Sequence, residues 1–580
     1  MSLQNSLKFE IDVPIKMRDG VILRADIYRP DTGDRYPAVL TRLPYRKTLL
    51  ATQAGYFHPQ RIAQNGYVVI IQDCRGTGMS EGELYPFRPE PEDGYDTIEW
   101  IAAQSWCNGN VGMYGASYLG FTQWTAATLQ PPHLKTICPA EASAFDLPTF
   151  EKGLFHLQAN IRWFLNQCSL ALPRSKLAPD QVKKIRAYIV SLLDHLDEQC
   201  WVLPLKDVPA AHIQNVAIAP FLSEWIQYIE DENYWKQFHY PIPLEKVTVP
   251  CFYVSGWNDF MVRGVVANYR EMKKRGGSEI SRKNQKMIIG PWVHGSALLS
   301  TVDEMDYGVA SSRPAVDVTG MHIRWFDSWL KGLQNGVMEE PPVKLFIMGD
   351  NKWRDENEWP LARTVYTPYY FHSDGHANSR FGNGVLNTEP PEEEEVDIYL
   401  YDPRNPVPTK WEAPGSSAYI YVIQDQRQIE ERTDIMVYTT EPLQNDTEIT
   451  GPIEVKLFAS SSAVDTDFTG KLVDVLPSGK AYNLTQGIIR ARYRESLSNP
   501  KFLEPGMVYE FSIDLGVTGT VFKAGHRIRI EISSSNFPEY DRNQNTGNPI
   551  GQDSEIKVAV QTIYHSHKYP SHVILPVIPR

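Results

Sequence analysis

A serine flanked by small residues, Gly115-Ala116-Ser117-Tyr118-Leu119-Gly120, stands between a short apolar stretch at 111–114 and a segment of helix-forming composition at 118–129. A serine hydroxyl is a poor nucleophile until a base takes its proton. A reactive serine therefore needs a histidine within hydrogen-bonding reach and a carboxylate to orient that histidine. A strand that runs through a glycine-lined turn into a helix exposes such a serine. Gly115 and Gly120 allow the tight turn and close helix–strand packing, and the helix N-terminus brings partial positive charge to a developing oxyanion. The usual five-residue form has a glycine two places after the serine, whereas here Leu119 holds that place and Gly120 follows it. Turns of small residues around a serine are also common in purely structural roles, so the partners decide.

Two partners stand where strands end. Asp259 follows the apolar stretch at 252–254 through Gly256-Trp257-Asn258, and His294 follows 287–289 through Gly290-Pro291-Trp292-Val293. Taken singly, Asp259 reads equally as a turn or cap residue and His294 as a satisfied structural histidine. Together they give the order Ser, Asp, His at the carboxyl ends of strands, the order in which one large hydrolase fold delivers nucleophile, orienting acid and base. Such chemistry calls for no metal and no organic cofactor.

Other motifs carry less. The glycine-rich stretch at 73–82 lacks the Gly-Lys-Ser/Thr ending that cradles a nucleotide, so it reads as a scaffold loop with Arg75 paired to Asp73. Cysteines at 74, 107, 138, 168, 200 and 251 include no Cys-x-x-Cys pair and read as free buried thiols. The net charge of -13 repels a phosphate backbone, which argues against nucleic acid as a partner. Residues 1–10 lack a basic-then-apolar signal pattern and no apolar run is long enough to span a bilayer. The reading is a soluble, cytoplasmic chain with no membrane partner.

The elements that must position these residues follow from hydrophobic patterning. The 580 residues exceed one core, so at least two domains are expected. Residues 9–15 and 21–27 read as a hairpin, 36–41 and 67–72 as strands covered on both faces, 57–65 as a crossover helix and 92–104 as a helix with Ile98 and Ile101 inward. Alternating strands and helices imply a mostly parallel sheet. Residues 150–240 are rich in helix formers, as at 183–197 with Ile185, Tyr188, Leu192 and Leu196 on one face, and read as a helical insertion over the sheet. Strands return at 250–255 and 286–290, and a helix at 320–331 closes the module. Beyond Gly332 short strands separated by turns predict an antiparallel sandwich or jelly roll, with 472–476 and 481–484 flanking a turn at 477–480 and with Ile528, Ile530 and Ile532 on one face of another strand. The acidic run at 390–395 reads as a solvated loop.

These motifs resemble the cocaine esterase and X-Pro dipeptidyl-peptidase family, which includes glutaryl acylases and α-amino-acid ester hydrolases. The resemblance rests on Met17-Arg-Asp-Gly20, Ala25-Asp-Ile-Tyr-Arg-Pro30, Pro44-Tyr45, residues 73–82, the Ser117 turn, Gly256-Trp-Asn-Asp259, Gly290-Pro-Trp-Val-His294, Trp325-Phe-Asp327, Asp465-Thr-Asp467, Phe537-Pro538 and Asp541-Arg-Asn543. It implies an α/β fold: an α/β-hydrolase domain at 1–149 and 241–335, a helical cap at 150–240 and an all-β jelly roll at 336–580 that helps to wall the site. It further implies Ser117 as nucleophile, His294 as base and then acid, Asp259 as orienting carboxylate, and an oxyanion hole of the Tyr45 hydroxyl and the Tyr118 amide. Sheet packing is the competing reading of Tyr45. Trp163, Phe164, Trp257 and Phe260 are candidate walls for an acyl group, with core packing equally open for each.

The expected partner is a small ester or amide, with a homo-oligomer left open. In the α-amino-acid ester hydrolases, part of a carboxylate cluster that grips the substrate ammonium lies two or three residues after the catalytic aspartate. Met261 and Val262 hold those places here, followed by Arg263. This departure favours neutral or anionic acyl groups, and no extra N-terminal domain of the large X-Pro peptidases is seen. A carboxylesterase is the preferred reading. An X-Pro peptidase, a glutaryl-type acylase, an α-amino-acid ester hydrolase, or a non-catalytic binding protein on the same scaffold are the alternatives.

Overall fold

The computed structural model describes residues 6–49, 58–145, 150–151, 153–238, 241–295, 300–409 and 423–580; the expected module limits at 149 and 240 fall outside these. A ten-stranded sheet carries the first module. Its strands are β1 (Leu7–Lys16), β2 (Ile22–Pro30), β3 (Tyr36–Leu43), β4 (Val68–Asp73), β5 (Cys107–Ala116), β6 (Leu134–Ala140), β7 (Cys251–Asn258), β8 (Gln285–Val293), β9 (Val343–Ile347) and β10 (Lys352–Glu356). They lie in the order β1-β2-β4-β3-β5-β6-β7-β8-β9-β10. The first two form the expected antiparallel hairpin, β2 pairs antiparallel with β4, and the strands from β4 to β9 run parallel. Every residue of β4 and of β7 is buried, as continuous apolar runs between helical layers require.

Helices α1 (Pro59–Gln64), α2 (Glu90–Ala102) and α3 (Tyr118–Thr128) link successive parallel strands, and Ile98 and Ile101 of α2 are fully buried. Helix α3 is buried on all sides from Tyr118 to Ala127, so it sits between the sheet and other elements and shows no solvent face.

The helical insertion contains α4 (Leu157–Ala171), α5 (Pro179–Asp194) and α6 (Leu196–Cys200). Its packing corrects one expectation. Ile189, Leu192 and Leu196 point inward, while Tyr188 is 48% exposed. Positions 185, 189, 192 and 196 share a helical stripe, and using aliphatic Ile189 on it avoids burying a phenol hydroxyl. After β7 come α7 (Val262–Arg275) and, past β8, α8 (Val318–Lys331).

The sheet does not stop at residue 335. Met287 of β8 lies opposite Val343, and β10 pairs antiparallel with β9. Val343, Leu345, Phe346 and Ile347 are all buried, and a strand apolar on both faces fits between helical layers better than in a one-sided sheet.

The C-terminal domain is largely antiparallel, with one parallel pair among its described strands, between Val385 and Thr439. The expected hairpin is present: Asp467–Val475 pairs with Ala481–Arg490, Val475 opposite Ala481. Ile528, Ile530 and Ile532 fill the core of this domain. Glu392, Glu393 and Glu395 are exposed as expected, but Glu394 turns in to meet His372 Nδ1 at 2.7 Å and His565 Nδ1 at 3.2 Å.

Two further expectations resolve here. The six cysteines are free and buried. Asp73 and Arg75, however, are not partners. Asp73 accepts from the Lys47 and Met79 amides at 2.7 and 3.1 Å, whereas Arg75 pairs with Asp93 at 2.6 Å and Asp19 at 2.7 Å. The carboxylate at the end of β4 organises its own loop through backbone donors, which leaves the longer arginine to reach α2. No helix among the described residues is long and apolar enough to cross a membrane.

The C-terminal domain is fixed to the insertion by buried charge. Arg490, 1% accessible, holds Asp467 and Asp541 at 3.0 Å each and donates to the Gly153 carbonyl at 2.9 Å, while Arg492 reaches Glu230 at 2.9 Å. Removing one partner of a buried cluster leaves uncompensated charge behind. Arg490→Met is therefore expected to destabilise the protein by about 3–5 kcal/mol, read as a lowered unfolding midpoint in calorimetry, whereas Arg404→Met in an exposed pair should leave the midpoint unchanged.

Candidate active site

Four adjacent parallel strands end at one edge of the sheet, and the residue just beyond each end is polar: Ser117 after β5, Glu141 after β6, Asp259 after β7 and His294 after β8. Ser117 adopts φ 60°, ψ -125°, a region that L-residues rarely occupy, and its amide donates to the Ala140 carbonyl at 2.9 Å. The flanking glycines explain how the chain tolerates this turn. Gly115 has φ +132°, and a Cβ there would lie 2.5 Å from the Leu119 Cβ. A Cβ on Gly120 would lie 2.5 Å from the Ala142 Cβ and 3.0 Å from the Ala140 carbonyl oxygen. Leu119 thus occupies the space that Gly115 leaves open, and Gly120 permits the contact between helix and strand.

His294 bridges the other two members of the expected set. Its Nε2 lies 2.9 Å from Ser117 Oγ and its Nδ1 lies 2.9 Å from Asp259 Oδ1. Asp259 is buried and held from behind: Ser255 Oγ donates to Oδ2 at 2.8 Å and the Met261 amide to Oδ1 at 2.9 Å. With the imidazole ring so oriented, Nε2 can take the serine proton while the aspartate stabilises the resulting imidazolium. Burial pulls the His294 pKa down, but the charge and hydrogen bond of Asp259, with a contribution from Glu141, outweigh it and raise the group above its ordinary 6.5. A second buried histidine shows the contrast. His322 in α8 has the Val318 carbonyl beside it, and burial takes it down to about 3.

The expected oxyanion donors converge on the same serine. The Tyr45 hydroxyl is within hydrogen-bonding reach of the Ser117 side chain and accepts from Trp163 Nε1 at 3.2 Å; burial pushes its pKa up to about 12, so it stays a protonated donor. Tyr118 is the first residue of α3, where backbone amides lack intrahelical acceptors. Its ring is fixed: the hydroxyl donates to Glu90 Oε1 at 2.8 Å, accepts from the Phe87 amide at 2.9 Å, and Glu90 in turn pairs with buried Arg42 at 2.7 Å.

The four candidate wall residues divide. Phe260 lies over the His294 ring, centroids 4.5 Å apart, and Trp163 combines its bond to Tyr45 with stacking against Phe87 and Tyr118. Phe164 is 1% exposed and packs edge-on to Phe221 inside the insertion. Trp257 is buried, donates to the Phe346 carbonyl at 2.6 Å and, with Phe260, Arg263, Gln486 and Glu539, lines a small cavity at the junction with the C-terminal domain.

Sequence reasoning missed Glu141 and Arg313. Glu141 Oε2 lies 3.7 Å from His294 Nδ1 and accepts from the Gly295 amide at 2.8 Å, while Oε1 receives Arg313 Nη2 at 2.5 Å. The available signal was position: Glu141 follows the apolar strand 134–140, as Asp259 and His294 follow theirs. Among the described residues, Glu141, Asp259 and His294 are the only His, Cys, Asp or Glu group compact enough to hold a metal ion, and protein donors already engage their carboxylate oxygens.

Residues 19–296 match the X-Pro dipeptidyl-peptidase (S15 family) model and residues 335–574 the X-Pro dipeptidyl-peptidase C-terminal non-catalytic domain. A cocaine esterase from Rhodococcus sp. (strain MB1 Bresler) is 38% identical over 98% of both chains. Among solved structures, an α-amino acid ester hydrolase is 26% identical, with a TM-score of 0.77 over 100% of this chain and 97% of that one. An aminopeptidase from a marine sediment Thaumarchaeota archaeon shares the fold at 24% identity, with a TM-score of 0.78 over 99% and 96%.

Two outcomes follow from the geometry. A base must be neutral to accept a proton, so the acid limb of the pH–kcat/KM profile for a p-nitrophenyl ester should lie above pH 6.5, with activity falling as pH drops through the raised His294 pKa. Asp259→Asn, which keeps the shape but favours the wrong imidazole tautomer, should lower kcat by roughly 10⁴ in the same assay.

Proposed function

We propose, from the premise that the chain belongs to the X-Pro dipeptidyl-peptidase (S15) family and is a serine esterase of it, that Ser117 attacks the carbonyl carbon of a carboxylic ester as His294 takes the hydroxyl proton. The tetrahedral oxyanion is held by the Tyr45 hydroxyl and the Tyr118 amide. His294 then gives its proton to the departing alkoxide, which leaves an acyl group on Ser117. Water, deprotonated by the same imidazole, attacks the acyl-enzyme and releases the carboxylic acid. The observation that carries this reading is the unbroken relay from Ser117 Oγ through His294 to Asp259, with both contacts at 2.9 Å.

The acyl group is neutral or anionic. Phe260 and Trp163 give the pocket aromatic sides, and the two positions after Phe260 carry Met261 and Val262 in place of carboxylates. Arg263, next in line, donates to the Gln486 carbonyl. The likeness to a cocaine esterase supports a carboxylic ester as substrate, and small esters are the expected substrate class.

A fluorophosphonate probe should label the native protein at Ser117, and Ser117→Ala should reduce p-nitrophenyl butyrate turnover to the buffer rate without changing the circular dichroism spectrum. Tyr45→Phe should lower kcat by about 10²–10³ while labelling persists. In a panel of acyl and aryl esters, aminoacyl esters and X-Pro amides, the esters should have the highest kcat/KM; faster cleavage of X-Pro amides would replace the esterase reading with a peptidase one.

A further inference from the structure

The relay of Ser117, His294 and Asp259 has no evident need for a second carboxylate, yet one is buried against it. Glu141 is fully buried, and its backbone sits at φ +46°, a conformation that a non-glycine residue keeps only where its surroundings over-determine it. The Glu141 amide donates to the Val254 carbonyl at 2.9 Å, which ties the residue to β7. The turn aims the carboxylate at the edge of the imidazole. One oxygen takes Arg313; the other takes the Gly295 amide and faces Nδ1 at 3.7 Å. Arg313 is itself 2% exposed and lies over the Trp292 ring at 4.9 Å.

The charges facing His294 can be counted. Asp259 beyond β7 and Glu141 beyond β6 are anionic, and Arg313, from the segment before α8, is cationic. Ser117 and Tyr45 contribute neutral hydroxyls and Phe260 a neutral ring. With neutral imidazole the group carries one net negative charge; with imidazolium it carries none. Deleting Glu141 alone reverses this sense, because Asp259 and Arg313 then cancel and imidazolium becomes an uncompensated buried cation.

We propose that Glu141 is a positioning residue for the base. It clamps the loop bearing His294 through the Gly295 amide, and it supplies the second negative charge that offsets Arg313 when the imidazole is protonated. The inference rests on the reading of His294 as general base.

The test is the pH dependence of kcat and kcat/KM for p-nitrophenyl butyrate in Glu141→Gln and in Glu141→Gln/Arg313→Met. The glutamine retains an acceptor for the Gly295 amide but loses the charge. Its acid limb should move down by roughly half a pH unit or more, and kcat should fall about tenfold with KM nearly unchanged. The double variant removes both charges and leaves Asp259 alone to balance the imidazolium, so its acid limb and kcat should return toward those of the native protein. A neutral pair also replaces the buried ion pair there, which protects folding. An acid limb and kcat in Glu141→Gln equal to the native values would overturn the proposal, as would equal impairment of the single and double variants, which would make the pair purely structural. If native turnover did not depend on Ser117, the reading of the site itself would fail, a result that the Ser117→Ala control reports separately.

Discussion

Ser117 can meet His294 only because the backbone at the end of β5 is held at φ 60°, and such a residue costs of order 1–3 kcal/mol relative to a relaxed one. The surrounding structure supplies the restraint. The Ser117 amide is bonded to Ala140 at the end of β6, the missing Cβ atoms at 115 and 120 let α3 sit against both strands, and α3 is buried along nearly its whole length. The turn is therefore coupled to strand register. Ala116 lies opposite Ala140 at the ends of β5 and β6, and Asn258 opposite Val293 at the ends of β7 and β8, while Ala140 faces Val254, so β7 and β8 run on past the end of β6. A slip of one residue in any of these pairs would carry one of the four polar side chains away from the edge.

The same edge has an electrostatic problem to solve. A histidine buried among apolar neighbours loses its basicity, as His322 does, and would accept no proton near neutral pH. His294 escapes this because two carboxylates share its surroundings, and those carboxylates are themselves burdened by burial. Asp259 is held by a serine hydroxyl and a backbone amide, Glu141 by a backbone amide and an arginine. Stabilising the imidazolium therefore depends on donors contributed by β7, by the loop after β8 and by the segment that precedes α8. Fixed partners of this kind need little reorganisation when charge develops, which is how preorganised sites lower a barrier.

What could be read in advance follows a physical division. Ser117, Asp259 and His294 were visible because each follows an apolar strand through a glycine-containing turn, so local pattern and site geometry coincide. The pairing of Arg75 with Asp73 failed because proximity along the chain is a poor guide where a backbone amide can satisfy a carboxylate. Arg75 instead bonds Asp93, eighteen residues away. Arg313 was invisible for the same reason on a larger scale, since 172 residues separate it from Glu141 and it carries no local signature; Glu141 had its place after the apolar strand 134–140, but no glycine-containing turn to mark it. The place of 343–347 in the first sheet was not legible either, because a short apolar run does not reveal whether one face or two will be covered. Tyr188 and Ile189 differ by a single step on a helix, too fine a distinction for periodicity to make.

Chemistry and selection are built from separate parts of this chain, and the join between them is short. The sheet edge provides the proposed nucleophile, base and acids. The proposed aromatic sides of the acyl pocket come from elsewhere: Trp163 from α4 in the insertion and Phe260 from the loop between β7 and α7. Arg263, four residues after Asp259, donates to the Gln486 carbonyl of the C-terminal domain, and that domain grips the insertion through Arg490 and Arg492. The segment that carries Asp259 is thus anchored to the domain that also holds the insertion. Substitutions in the insertion can reshape the proposed acyl pocket and leave the relay's own residues in place, because Ser117, His294 and Asp259 all lie outside it. Substitutions at the Arg263–Gln486 contact are different in kind: they act on the segment that carries both Asp259 and Phe260, so they should alter turnover together with specificity.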